Sequence, residues 1–303
     1  MNLSGFVKLL FALLVLVIAA MLYPPLRLSA LVLAGRSPVC PLSQAVQAEA
    51  NQRRQIEVKD EILKASKLVN QDDRFEQWQT PKGTYWIAAG SRYVLPFNLA
   101  EQQRKIYGSG KNFVQPGDIV LDCGANIGVF VRESLDAGAE KVVAIEPAPE
   151  NIECLRRNFK DEIASGRVIV YPKGVWDKDD LLTLHIDDHN SAADSFMIQR
   201  KDAHASDEKL PLTTIDKLVA ELGLPRVDFI KMDIEGAEVK ALNGGRQTIA
   251  KHHPRMALSA YHAPDHPVEV PKAVKQAWSG YTMECGPCAV ANGRIRPDIL
   301  YFH

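Results

Sequence analysis

From Leu9 to Tyr23 the chain reads LLFALLVLVIAAMLY, without a charge, a glycine or a proline. With Gly5, Phe6 and Val7, and with Lys8 able to snorkel, the run approaches the ~20 residues that cross a bilayer as a helix. Pro24 and Pro25 end it, because neither can donate a backbone hydrogen bond. A cleaved leader would need small residues just after the apolar run, and Met21-Leu22-Tyr23-Pro24-Pro25 supplies bulky ones instead. A buried core helix would not be apolar on every face. The pattern therefore predicts a membrane anchor over residues 1–25. An interfacial patch, Leu26 to Gly35, follows, and a solvated helical stalk runs on to residue 83. In that stalk Val58, Ile62, Ala65 and Val69 recur at helical spacing, and Asp60 precedes Lys64 by four residues.

Beyond residue 84 the period changes. Tyr85-Trp86-Ile87 and Tyr93-Val94-Leu95 read as short strands, and Gln115-Pro116-Gly117-Asp118 as a turn. Strands and helices then alternate. Strands are predicted at Ile119–Cys123, Lys141–Ile145, Val168–Tyr171, Asp228–Met232, Met256–Tyr261, Tyr281–Glu284 and Ile299–Phe302, with a β excursion at Leu181–Ile186. Helices are predicted at Ile127–Ala137, Pro149–Phe159, Thr214–Leu222, Glu238–Lys251 and Pro271–Trp278. Strands spaced by helices mean βαβ units and a mainly parallel sheet. The last two strands lack a helix between them and are expected to be antiparallel neighbours. Ala289 to Pro297 reads as a loop.

Composition adds limits. The 303 residues carry 36 basic and 37 acidic side chains, a net charge of −1, so no global field points to nucleic acid. Five cysteines are too few and scattered for a disulfide scaffold, and their odd number suits a reducing compartment. Cys285-Gly286-Pro287-Cys288 has the spacing of a thiol redox motif. It lacks the following helix that would activate a thiol, and the second pair a structural zinc would need.

The chemistry is concentrated after the first strand of the alternating region. Leu121-Asp122-Cys123-Gly124-Ala125-Asn126-Ile127-Gly128 has glycines where a ligand approaches the backbone of a βαβ unit closely, but not the full G-x-G-x-x-G of a dinucleotide site. Asp122 repels a pyrophosphate and suits a cationic amino-acid moiety. Glu146, ending the second strand, can accept both hydroxyls of a ribose. A ribose with a positive, unphosphorylated tail describes S-adenosylmethionine. The fourth strand runs into Met232-Asp233-Ile234-Glu235-Gly236-Ala237-Glu238. The fifth brings His262 toward the same carboxyl-end mouth, where ligands of open parallel sheets bind.

D-x-G-A-N-I-G, then E-P-x-P-E-N, then I-K-M-D-I-E-G-A-E, and finally Tyr261-His262-Ala263-Pro264-Asp265, resemble the FkbM-type methyltransferase family over residues 84–303. The resemblance implies a class I methyltransferase (Rossmann-like) α/β fold with a seven-stranded sheet and S-adenosylmethionine as cofactor. It also implies O-methylation of sugars or other hydroxyl-bearing metabolites. By that resemblance Asp122, Gly124, Asn126 and Gly128 line the methionine end and Glu146 the ribose. Many members carry an acid near the end of the fifth strand, where this chain has Ala260.

For catalysis, His262 has a pKa suited to a base, with Asp233 orienting it or the acceptor and Glu235 beside them. The alternative is that Asp233 and Glu235 only cap the following helix. Asp233, Glu235, Glu238 and His262 could also suit a cation, but their spacing matches no defined ligand motif and no metal is expected. The expected protein is a single-pass membrane methyltransferase facing the cytoplasm, where S-adenosylmethionine is made. Its acceptor is a small molecule or a lipid-linked glycan. A silent scaffold keeping the fold and a nicotinamide-dependent oxidoreductase are the alternatives.

Overall fold

The computed structural model of the chain describes residues 3–186, 194–198 and 204–303. The N-terminal region contains α1 (Leu3–Leu22), α2 (Pro24–Leu33), α3 (Leu42–Ala45) and α4 (Ala48–Ala65). The strands β1 (Lys67–Gln71), β2 (Phe75–Thr80) and β3 (Gly83–Ala88) follow as an antiparallel sheet, and α5 (Val94–Gln103) leads into the alternating region.

That region contains β4 (Ile119–Cys123), α6 (Val129–Asp136), β5 (Lys141–Ile145), α7 (Pro149–Asn158), α8 (Lys160–Ala164) and β6 (Val168–Tyr171). A three-stranded excursion comprises β7 (Gly174–Val175), β8 (Asp180–Ile186) and β9 (His204–Thr213). Then come α9 (Ile215–Glu221), β10 (Phe229–Met232), α10 (Glu238–Asn243), α11 (Arg246–His252), β11 (Arg255–Ser259) and α12 (His266–Ala277). The chain closes with β12 (Met283–Cys285), the hairpin β13 (Cys288–Ala291) and β14 (Arg294–Pro297), and β15 (Ile299–Phe302).

The main sheet has seven strands in the order β12-β15-β11-β10-β4-β5-β6. From β11 to β6 every pair is parallel, and β15 runs antiparallel to both β11 and β12. This is the predicted sheet. Its order reverses between β4 and β10, so the crevice beyond their carboxyl ends is where a ligand belongs. Side-chain alternation along each strand buries both faces. Leu121, Val143, Ile230 and Leu258 pack with Leu218, Leu242, Ile249 and Val274 of the helices on one side. Val120, Val142, Phe229 and Ala257 pack with Phe130, Leu135, Leu155 and Phe159 on the other.

The predicted solvated stalk is instead part of the domain. Val58 and Ile62 of α4 are buried with Phe75, Tyr85, Ile87, Leu95 and Leu99, and that cluster continues into Ile127, Val129 and Cys154. The Asn158 amide ties β3 to α7, accepting from Trp86 N at 2.6 Å and donating to Trp86 O at 3.0 Å. Helical spacing at Val58 and Ile62 marked an amphipathic helix whose apolar stripe needed cover, and the tertiary fold provides it. Tyr93-Val94-Leu95 likewise begins a helix, not a strand.

Four further expectations change. The Ala289–Pro297 loop is the hairpin β13–β14. The helix expected over Glu238–Lys251 breaks at Gly244-Gly245, where a Cβ on Gly244 would lie 2.0 Å from the Trp176 carbonyl. The helix expected from Pro271 begins at His266, with Pro271 inside it. Cys40 and Cys288, expected to be unpaired, form a disulfide across 248 residues. Around it Leu28, Ala45, Ala48 and Ile295 form a small buried cluster.

Among the described residues no single helix is long and apolar enough to cross a membrane. Val7–Ala19 and Pro24–Leu33 pass that test only as a pair, bent by 101°. Val7, Leu10, Phe11, Leu14 and Leu16 of α1 are exposed.

Candidate active site

The β4–α6 turn is shaped by close approach. Gly124 has φ +78°, and a Cβ there would sit 1.9 Å from the Asp233 carbonyl oxygen at the end of β10. Only glycine fits both the angle and the gap. Asn126 follows at φ 49°, in the left-handed region that asparagine tolerates better than most residues. Glu146, 5% exposed, holds this turn from the end of β5. Its Oε2 accepts from Asn126 N at 2.8 Å and its Oε1 from Ala148 N at 3.0 Å. Burial pushes the Glu146 carboxyl up, and the two backbone amides oppose that.

Gly124, Asn126, Ile145, Glu146 and Pro147 form one wall of a cleft, and Asp233, Ile234, Glu235 and Ala237 form another. Leu184, Asp194 and Phe196 from the β excursion close it to a volume of about 60 Å³. Ser195 fastens this closure by donating from Oγ to the Glu235 carbonyl at 2.7 Å. The donor set fits S-adenosylmethionine. Glu146 can accept ribose hydroxyls, Ile145, Leu184 and Phe196 offer apolar surface, and Asp233 and Glu235 provide negative charge for a cationic tail.

Two of the expected cofactor residues do not line this cleft. Asp122 is fully buried beneath it, 3.1 Å from Lys231 Nζ, and Lys231 donates to the Gly124 carbonyl at 2.6 Å. Burial raises the Asp122 carboxyl. Burial would also strip the Lys231 proton, but the Asp122 and Asp233 charges hold it on. Asp122 thus supports the turn through a lysine that spacing alone did not single out. At Gly128 a Cβ would lie 2.1 Å from the Phe159 ring, so this glycine packs α6 against α7.

The turn after β10 is strained. Glu235 has φ 52° and Gly236 φ 103°. Non-glycine residues held in that region recur where a site fixes its side chains. Neither Asp233 nor Glu235 caps the following helix, whose N-cap is Ala237 with no side-chain cap bond; a third carboxylate holds the turn before it. Glu238, fully buried, accepts from Ile234 N at 3.0 Å and Gly236 N at 3.1 Å. It also bonds His262 Nδ1 at 2.8 Å. His262 Nε2 lies 3.4 Å from Asp233 Oδ1 and 3.3 Å from Glu235 Oε1.

Burial would strip the His262 proton, but Glu238, Glu235 and Asp233 hold its pKa well above the ordinary value. The imidazole lines neither cavity and stands as the positive centre of three carboxylates. Asp233, Glu238 and His262 each offer a ligand atom within 4.8 Å of the others. Glu238 is already engaged by two amides and the ring, and His262 Nε2 faces Asp233 and Glu235 at ion-pair distance. Asp233 Oδ2 accepts from Tyr107 OH at 2.5 Å, and its Oδ1 lies 3.4 Å from Tyr261 OH. Burial would raise Asp233, but His262, Lys231 and the Tyr107 hydroxyl hold it below the usual carboxylate range.

Asp233 and Glu235 also border a second, larger chamber of about 720 Å³. Its far walls are Gln55 and Ile56 of α4, Phe97 and Glu101 of α5, and Arg296 and Asp298 beside the β13–β14 hairpin. Arg104 donates to Gln55 Oε1 at 2.5 Å, and Gln52 pairs with the Val290 carbonyl at 3.1 Å, so α4 is bonded to both neighbours. None of these wall residues was singled out from the sequence. The one available signal was the α4 apolar stripe, read there as a stalk.

Residues 122–277 match the family described as Methyltransferase FkbM domain. The 31-O-demethyl-FK506 methyltransferase FkbM of Streptomyces tacrolimicus is 27% identical over 174 residues, covering 46% of this chain and 67% of that protein. The structure of methyltransferase FkbM from Methylobacillus flagellatus KT is similar at 19% identity and a TM-score of 0.47. It is covered over 60% of its length by 84% of this chain. Precorrin-6y C5,15-methyltransferase from Geobacter metallireducens GS-15 is similar at 14% identity and a TM-score of 0.37, over 62% of this chain and 79% of that one. The family match spans both strand ends that form the cleft, and the chain belongs to the FkbM methyltransferase family, with S-adenosylmethionine as its methyl donor.

Proposed function

We propose that the protein transfers a methyl group to a hydroxyl of a sugar-like, polyhydroxylated acceptor, and that α1 with α2 fastens it to a membrane. The observation that carries this reading is the border at Asp233 and Glu235, shared by the cofactor cleft and the large chamber. Bound S-adenosylmethionine supplies an electrophilic methyl group. The chain's own residues orient and desolvate the acceptor next to it. Tyr93, Phe97 and Tyr261 offer rings for the C–H faces of a pyranose, and Asn98, Glu101, Arg104, Arg296 and Asp298 offer donors and acceptors for its hydroxyls. The name of the Streptomyces relative describes methylation at an O-demethyl position, which favours oxygen over nitrogen.

The test is transfer of isotope-labelled methyl to methyl hexopyranosides and lipid-linked oligosaccharides by the full chain in detergent, with the product located by mass spectrometry. Labelled product carrying an O-methyl group is expected. Donor binding without transfer to any hydroxyl would favour the silent scaffold instead.

Membrane attachment rests on the exposed apolar length of α1, which lipid would cover. Leu10→Lys with Leu14→Lys should release the chain from liposomes in flotation. The catalytic domain is assigned to the cytoplasmic side because the donor is made there. The Cys40–Cys288 bond favours the opposite, oxidising side. Protease and thiol-label access on intact cells separates the two.

A further inference from the structure

Just past the end of β11 stands Ala260, with no side chain to take a proton, and the tertiary fold brings the backbone of Asp298 against it from elsewhere. Ala260 N donates to the Asp298 carbonyl at 3.0 Å, and Asp298 N donates to Pro287 O at 2.9 Å. The two bonds fix the Asp298 backbone between the end of β11 and the Cys285–Cys288 turn. Its side chain lines the acceptor chamber together with Asp233 and Glu235, the two residues that also border the cofactor cleft.

Resting on the O-methylation reading above, we propose that Asp298 is the catalytic base that accepts the acceptor's hydroxyl proton. The acceptor O–H bond breaks toward an Asp298 carboxylate oxygen. The acceptor oxygen forms its bond to the methyl carbon, and the carbon–sulfur bond of the donor breaks, leaving a neutral thioether and a protonated Asp298. No other reactant is needed, and the proton leaves to water through the open chamber.

The surroundings suit the role. Burial pushes the Asp298 carboxyl up to about 6, against Arg296 and Arg104 and with Asp233 adding to the rise. A carboxylate with that pKa is ionised at neutral pH and still basic enough to take a proton in the transition state. The charged and titratable groups facing it are Arg296, 3.8 Å away, Glu101 of α5 and Arg104 just after it, Asp233, Tyr261 and Tyr301. Arg296 also lies over the Tyr261 ring, 5.0 Å from its centroid, so the cation is held from two sides. The alternative proton acceptors are less suited. His262 lines neither cavity, with its pKa raised by the carboxylates around it, and Asp233 is bound by the Tyr107 hydroxyl. Burial and the Asp233 charge push the Glu101 carboxyl well above its ordinary value.

The test uses the full chain in detergent with methyl hexopyranosides as acceptor probes. Asp298→Asn is expected to lower kcat by about 10²–10⁴-fold. It should also abolish the acid limb near pH 6, while donor affinity measured by calorimetry stays within twofold. Asp298→Ala should be rescued in part by added formate, which a purely structural role would not allow. A readout independent of turnover is ¹³C NMR of carboxyl-labelled aspartate. The resonance missing from Asp298→Asn should titrate near pH 6 and shift on addition of the probe. Retention of kcat within threefold, an unchanged acid limb, no formate response or a carboxyl resonance indifferent to the probe would each overturn the assignment. If the unaltered chain methylates no hydroxyl, the O-methylation reading itself fails, and the two failures are thereby distinct.

Discussion

The cofactor cleft and the acceptor chamber meet at Asp233 and Glu235 but are built in opposite ways. The cleft is made by strand ends and the turns that follow them, with Gly124 to Asn126 and Glu146 within one βαβ unit. The chamber is made by segments from the two ends of the chain, α4 and α5 on one side and the β13–β14 hairpin on the other. A cross-link spanning 248 residues stands behind it. A site that binds one donor can be encoded in local turns. A site that selects an acceptor is assembled from parts that contribute nothing recognisable alone.

The largest expected effect breaks the chamber half. Cys40→Ser removes a link that closes a long loop, worth at most about 5 kcal/mol in the chain-entropy model. Tm should fall by roughly 10 °C in scanning calorimetry. Donor affinity should stay within about threefold while the acceptor KM rises, and a matching loss of donor binding would sink the division into halves. Next is Gly124→Ala, whose new Cβ meets the Asp233 carbonyl at 1.9 Å. Donor affinity should drop by more than about 100-fold because neither backbone can yield cheaply.

Glu146→Ala is milder. It leaves the Asn126 and Ala148 amides without their acceptor, and donor affinity should fall by roughly 10–100-fold. Acceptor discrimination, read as the ratio of kcat/KM for two sugars, should not move.

The smallest effect concerns pH. In the folded state Asp298 titrates at about 6, above the ordinary aspartate value. Between those values the folded chain holds the proton more often than the unfolded chain, so stability falls as pH rises toward 6 and levels off above it. With the side chain 29% exposed, about 1 kcal/mol is expected. Asp298→Asn should raise Tm at pH 7.5 by roughly 2–4 °C relative to its parent and by less at pH 5. A larger gain at pH 5 would contradict the sign.

Legibility followed the same division. The seven strands were readable because parallel strands buried on both faces leave apolar runs bounded by turns. Gly124, Asn126 and Glu146 were readable as cleft residues because their positions are set locally by a strand end and its turn. Asp122 and Gly128 were legible as a motif but not in their task. Whether a carboxylate faces a cleft or a lysine, and whether a glycine faces a ligand or Phe159, depends on partners distant in sequence. His262 stands beside Asp233 and Glu235, but its ring lines neither cavity, and the Glu238 beneath it determines what the ring can do.

The amino-acid sequence by itself determined the alternating sheet, the family and the donor, since periodicity and turn chemistry act over a few residues at a time. Only the tertiary structure decided that α4 is a wall and not a stalk, that Cys40 meets Cys288, and that Asp298 stands where Ala260 offers nothing. Those outcomes depend on contacts between segments hundreds of residues apart. An amphipathic stripe or a lone cysteine shows that a partner is needed, and long-range packing selects which one.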